Sequence, residues 1–143
     1  MPLLLFSLFC SLSTGCTYQN SPNAPAQERL LGWWRTGLQL EESPAVFVLH
    51  FAQDGIVSTG HIELQPPHTL IAGPRARWIL DNLRVFWEFS EEPFGPAALL
   101  LGNGKHLLLV GTDSLVVQDS DRRIIDQAFT PCPQATRAQD CLN

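Results

Sequence analysis

From Leu30 to Phe129 the chain is a succession of short runs in which apolar and polar residues alternate. Turn-forming residues interrupt the runs at intervals of roughly 8–12 residues. A repeat of two belongs to a β-strand with one buried face. Leu30–Leu40 opens the series. Val46–Phe51 follows, with Phe47, Leu49 and Phe51 on one face, and the Asp54-Gly55 pair then signals a hairpin. In Ile56–Leu64, residues Ile56, Gly60, Ile62 and Leu64 share one face with Ser58, and Thr59, His61 and Glu63 take the other. Gln65–His68 is a break, because the proline pair offers no N–H to a ladder.

After Thr69–Ala72, the runs Arg75–Leu80 and Leu83–Ser90 flank a turn at Asp81-Asn82. The second run is the clearest half-buried strand. Leu83, Val85, Trp87 and Phe89 lie on one face, and Phe86 stands on the other. Glu91–Pro96 reads as a loop. Ala97–Leu101 and His106–Val110 flank Gly102–Lys105, and Leu115–Gln118 and Ile124–Phe129 flank Asp119–Arg123. The count of about eight strands predicts an all-β domain, a small antiparallel barrel or sandwich. Closure into a barrel has the advantage of leaving no sheet edges. Helix is expected only at Ala24–Leu31 or around Ala135–Asp140. A chain of 143 residues suffices for one such domain and not two.

A different composition precedes the strands. Pro2–Leu12 is apolar and uncharged, too short for a membrane span of about 20 residues but matching the apolar region of an export signal. Ser13, Thr14, Gly15 and Cys16 follow, and then a polar stretch rich in Pro and Asn that reads as a tether. The segment Leu12–Cys16 resembles the lipobox of bacterial lipoproteins, in which the signal is cut before a lipidated cysteine. Ser13 stands where that motif usually has Leu, and no Lys or Arg lies near the start. The resemblance implies a signal peptide at 1–15, lipidation of Cys16, a tether at 16–29, the β domain at 30–130 and a tail at 131–143. Thr17, where an Asp often retains lipoproteins at the inner membrane, implies the outer membrane, facing the periplasm. The competing readings are a signal with Cys16 a bystander, and a buried strand or helix of a cytosolic protein. A second resemblance rests on Gly32-Trp33-Trp34, which is similar to the Gly-x-Trp of lipocalins and small lipocalin-like lipoproteins. It implies a barrel with the Trp across its closed end and a small apolar ligand at the other.

The remaining cysteines, Cys132 and Cys141, enclose eight residues near the end of the chain. Outside the cytoplasm such a pair is expected to form a disulfide. Their spacing fits neither a Cys-x-x-Cys redox motif nor a zinc site. The net charge of −5 and the scattered basic residues leave no stripe for nucleic acid. His50, His61, His68 and His106 form no ligand motif, so no metal is expected. The chain has no Gly-x-Ser-x-Gly, and the carboxylate pairs Glu41/Glu42 and Glu91/Glu92 fall in loops, so no catalytic residues, enzyme activity or cofactor are expected. Trp33 and Trp34 must face opposite ways in a strand, and Trp78 and Trp87 can pair across their hairpin. An outward Trp34 or Phe86 is the candidate binding surface. The reading is a lipid-anchored, non-enzymatic envelope protein that binds a protein partner, such as an assembly or pilotin-like factor or an inhibitor or immunity-type protein. The alternative is a lipocalin-like carrier of a small apolar ligand.

Overall fold

The computed structural model describes residues 24–142, apart from 42, 103 and 112. The predicted signal segment, the first part of the tether and Cys16 lie outside the described residues. Among the described residues nine strands form: β1 (Gly32–Leu40), β2 (Ser43–Phe51), β3 (Ile56–Glu63), β4 (Leu70–Ala72), β5 (Ala76–Asp81), β6 (Arg84–Phe89), β7 (His106–Val110), β8 (Ser114–Gln118) and β9 (Ile124–Pro131). All pairings are antiparallel. Eight of these strands follow one another around a ring, β1-β2-β3-β5-β6-β7-β8-β9, and β9 returns to pair with β1. The expected barrel or sandwich is therefore a closed barrel. β4 lies beside the far half of β3 and leads through Gly73–Arg75 into β5.

Register assigns each side chain to the inside or the outside. Phe47, Leu49 and Phe51 of β2 lie opposite His61, Thr59 and Val57 of β3, and all six point inward. They meet Trp34 of β1, Trp78 and Leu80 of β5, Val85 of β6, Leu107 and Leu109 of β7, Leu115 and Val117 of β8, and Phe129 of β9. Edge-to-face contacts lock the aromatics, Phe51 with Trp78 at 5.6 Å and Phe47 with Phe129 at 6.0 Å between ring centroids. An eight-stranded barrel is just wide enough for side chains to fill it, and this one is filled. Trp78 and Trp87 stand directly opposite each other, as expected of that hairpin.

The two faces of β3 divide as the alternation predicts. Ile62, with Gly60 and Ser58, faces outward, and His61 and Thr59 face the interior. Ile62 is nevertheless fully buried, because the tail covers the outer face of β1–β3. Val46, Val48 and Ile62 pack there against Cys132, Ala138 and Cys141, with Trp33 and Leu142 at the margin. A strand buried on both sides loses its alternation, so periodicity could not tell inside from outside.

Two helices stopper the barrel. α1 (Ala24–Leu30) precedes β1 and sends Ala26 and Leu30 into the core. α2 (Gly95–Leu101) crosses the opposite end, with Ala97 and Leu101 inward. The expected strand at Ala97–Leu101 is thus a helix. Gly95-Pro96 starts it, and an apolar run of that length carries no period long enough to distinguish the two states. The Trp87 indole donates to the Leu101 carbonyl at 3.0 Å and ties α2 to β6. The β5–β6 turn is centred one residue later than expected, on Asn82-Leu83, both with positive φ. That shift keeps the faces but sets Phe86 opposite Ile79.

The expected disulfide is formed between Cys132 and Cys141, with Cα atoms 5.4 Å apart. It closes a tail whose 3-10 helix (Ala138–Leu142) sits on the outer face. Within the loop, the Asp140 carboxylate accepts from the Thr136 N–H at 2.9 Å. Replacing both cysteines by Ser is expected to lower unfolding free energy by about 2–3 kcal/mol, the chain-entropy value for so short a loop. Urea unfolding of the oxidised protein and of the double variant checks this.

Candidate functional site

Two places in the fold carry side chains that the core does not explain. The first is the outer face of β5–β9. Register aligns Ile79, Phe86, His106, Gln118 and Ile124 in one line across five strands, although Phe86 and His106 belong to halves of β6 and β7 that form no ladder. The Phe86 ring stacks on the His106 imidazole, with centroids 5.0 Å apart. His106 Nε2 is 2.9 Å from Gln118 Oε1, and the Gln118 amide donates to the Arg122 carbonyl at 3.2 Å. Both His106 and Gln118 are buried, so the polar centre of the line is held rigidly. Its apolar ends are not covered. Ile79 is 67% exposed, Phe86 42% and Ile124 62%. An open cleft of about 620 Å³ runs beside Ile79 and Phe86, between Trp78, Trp87 and Glu88.

Of the two candidate surface residues, Phe86 is outward as expected. Trp34 is corrected: it is 1% exposed and lies in the barrel core. Its indole N–H donates to the Leu30 carbonyl at 2.8 Å, beneath α1. The strand parity that sends Trp34 inward sends Trp33 outward, where it stacks on His50 at 4.4 Å. Ile79 and Ile124 were not singled out from the sequence. A hairpin centred on Asn82-Leu83 would have placed Ile79 beside Phe86, but Ile124 joins the line only through the β8–β9 register.

The second place lies under α2. Phe47, Gly60, His61, Ile71, Ala72, Gly73 and the segment Phe94–Ala97 enclose a hollow of about 70 Å³. Its surroundings are apolar except for the His61 imidazole.

His50 and His61 face opposite sides of the barrel wall and do not meet. Among the described residues, no group of three or more His, Cys, Asp or Glu side chains is placed to hold a metal ion. No helix among them is long and apolar enough to cross a membrane. No protein-family model matches the chain, and no curated protein matches it.

Burial pulls the His50 imidazole below its ordinary value of 6.5, against an opposing pull from Asp54. The unfolded chain therefore binds this proton more readily than the folded one. The stability it contributes is present above pH 6.5 and is lost as pH falls below that value towards the folded pKa. Chemical unfolding midpoints are expected to fall across this window, and less so in His50→Gln.

Proposed function

We propose that the protein is a lipid-anchored, non-enzymatic component of a bacterial envelope that binds a protein partner through the outer face of β5–β9. The carrying observation is the exposed row Ile79–Phe86–Ile124 on a barrel whose interior is already occupied. Exposed apolar side chains gathered around a rigid centre suit protein recognition, where aromatic and branched anchors supply most of the binding energy. The tail already covers the other apolar outer face, on β1–β3, so the uncovered one is open to another chain.

The anchor belongs to the same reading. The lipobox-like segment ending at Cys16 and the tether after it would hold the barrel near a membrane, in an outer-membrane, periplasm-facing position. Each buried methylene of the lipid would add about 0.8 kcal/mol.

Carriage of a small apolar ligand is the second reading, and the closed barrel with Trp34 under α1 is compatible with it. A carrier's pocket is usually about 300 Å³ or more. The 70 Å³ hollow under α2 falls well short, and the barrel centre is filled by Trp34, Phe47, Phe51 and Phe129. The partner-binding reading is therefore preferred.

A photo-crosslinking residue at position 79, in intact cells, is expected to form one discrete adduct with another protein. Ile124→Arg should abolish the adduct while leaving stability within about 0.5 kcal/mol, as is usual for exposed positions. An adduct unchanged by Ile124→Arg would reject the surface. Cys16→Ser is expected to shift the protein from the membrane to the soluble fraction. Retention in the membrane with unchanged processing would reject the anchor.

A further inference from the structure

Among the described residues, ring closure leaves one strand, β4, that pairs on one side only. β4 lies along the far half of β3, because β5 takes only Ile56 and Val57 at the near end. The alternation of an antiparallel ladder fixes which backbone groups of β4 are used. The Glu63 N–H donates to the Thr69 carbonyl at 3.1 Å, and the Gly73 N–H donates to the Thr59 carbonyl at 2.9 Å. Thr69, Ile71 and Gly73 therefore turn their backbone groups towards β3. The N–H and C=O of Leu70 and of Ala72 point the other way, and among the described residues nothing pairs with them.

This side of β4 is accessible. Every residue from Leu64 to Ala72 is exposed, so the turn after β3 and the whole of β4 stand out from the barrel. Leu70 is 39% exposed and Ile71 42%. A free edge with apolar side chains is a template for a further strand. The arrangement of the free groups specifies which strand fits. They are placed symmetrically about Ile71, one N–H and one C=O on each neighbour. A two-fold axis at Ile71 sets Leu70 of one copy opposite Ala72 of another. Each such pair exchanges two N–H···O bonds, so a second β4 satisfies all four groups of the first. Thr69–Gly73 carries no charge, and this pairing opposes no like charges.

We propose that two copies of the chain associate through β4, antiparallel, in the register that sets the two Ile71 residues opposite each other. Three residues a side make a small interface, so the association is transient and rises with concentration. It is separate from the outer face of β5–β9 and depends neither on the lipid anchor nor on a protein partner.

The test is oxidation of the full chain carrying Ile71→Cys, with the dimer fraction read on a non-reducing gel. The two Ile71 positions form a non-hydrogen-bonded pair, with Cα atoms about 4.5 Å apart and within reach of a disulfide. Ile71→Cys is expected to give several-fold more disulfide-linked dimer than Thr69→Cys, which would lie opposite Gly73 and not opposite its own copy. Ala72→Pro, added to Ile71→Cys, removes an outward N–H and spares the ladder to β3, so it should abolish the dimer. Proline is tolerated at an edge position of this kind. Leu70→Pro removes the other outward N–H and serves if Ala72→Pro fails to fold. Equal yields from Ile71→Cys and Thr69→Cys, no dimer from either, or a dimer that persists in a folded proline variant overturns the proposal.

Discussion

Ring closure between β9 and β1 is the constraint on which the other features depend. An eight-stranded sheet has an inside only if its first and last strands meet, and here they meet over a short ladder, Thr130 with Arg35 and Pro131 with Trp34. That seam gains further bonds around it. The Cys132 N–H donates to the Trp33 carbonyl at 2.9 Å, the Gln127 amide reaches the Gly37 carbonyl at 3.0 Å, and the Arg35 guanidinium donates to the Cys141 carbonyl. The disulfide loop is the piece that brings Cys141 back over β1, so the tail acts as a clasp on the seam. With the seam closed, strand parity sends Trp34, Phe47 and Phe129 to a common interior. The edge-to-face contact of Phe47 with Phe129 is then available only in the closed ring.

A second weak stretch lies between β6 and β7, which share ladder positions only at Arg84–Leu108 and Val85–Leu107. Beyond Val85 the two strands are bridged by other means. α2 fills the gap from inside, tied by the Trp87–Leu101 hydrogen bond, and the Phe86–His106 stack spans it from outside. The outer row therefore crosses this weak stretch, whereas the hollow under α2 lies against β2, β3 and β4. The hollow under α2 exists because a helix rather than a strand fills the opening, and Phe86 is held in its outward rotamer by a buried imidazole. Function and closure use the same side chains, and for this reason Phe86 is a poorer test position than its exposed neighbours Ile79 and Ile124.

Most of the fold was legible from periodicity and turns. The strand series, the closed antiparallel option, the Trp78–Trp87 pair, the disulfide and the terminal helical turns all rest on local signals that tertiary contacts did not override. Legibility failed where two burying surfaces compete for one strand. Alternation separates Ile62 from His61 but does not tell which of them faces the interior, because the tail supplies an outer core that no local pattern announces. It failed again at Ala97–Leu101, where a run of apolar residues is equally suited to a strand or to a helical stopper and only the geometry of the opening decides. The candidate surface was half legible. Phe86 stands out as an aromatic on the polar face of a strand, whereas Trp34 and Trp33 carry equal local signals and only register sorts them.

The barrel has two apolar outer faces, and their different fates bear most directly on function. Val46, Val48 and Ile62 on β2 and β3 are as apolar as Ile79, Phe86 and Ile124 on the far side, yet the first group is sealed by a cross-linked tail and the second is bare. A chain that only had to fold would gain by replacing exposed Ile and Phe with polar residues at positions that contribute little to the core. The polar centre of the bare row is built to a different standard from an incidental surface. His106 and Gln118 are buried, hydrogen-bonded to each other and braced by the Arg122 carbonyl, which fixes the spacing between the apolar ends. That rigidity bridges β6 and β7 and at the same time holds the row in one arrangement. It lowers the entropy lost when a second surface of matching shape docks, which is the physical advantage of a preorganised recognition surface.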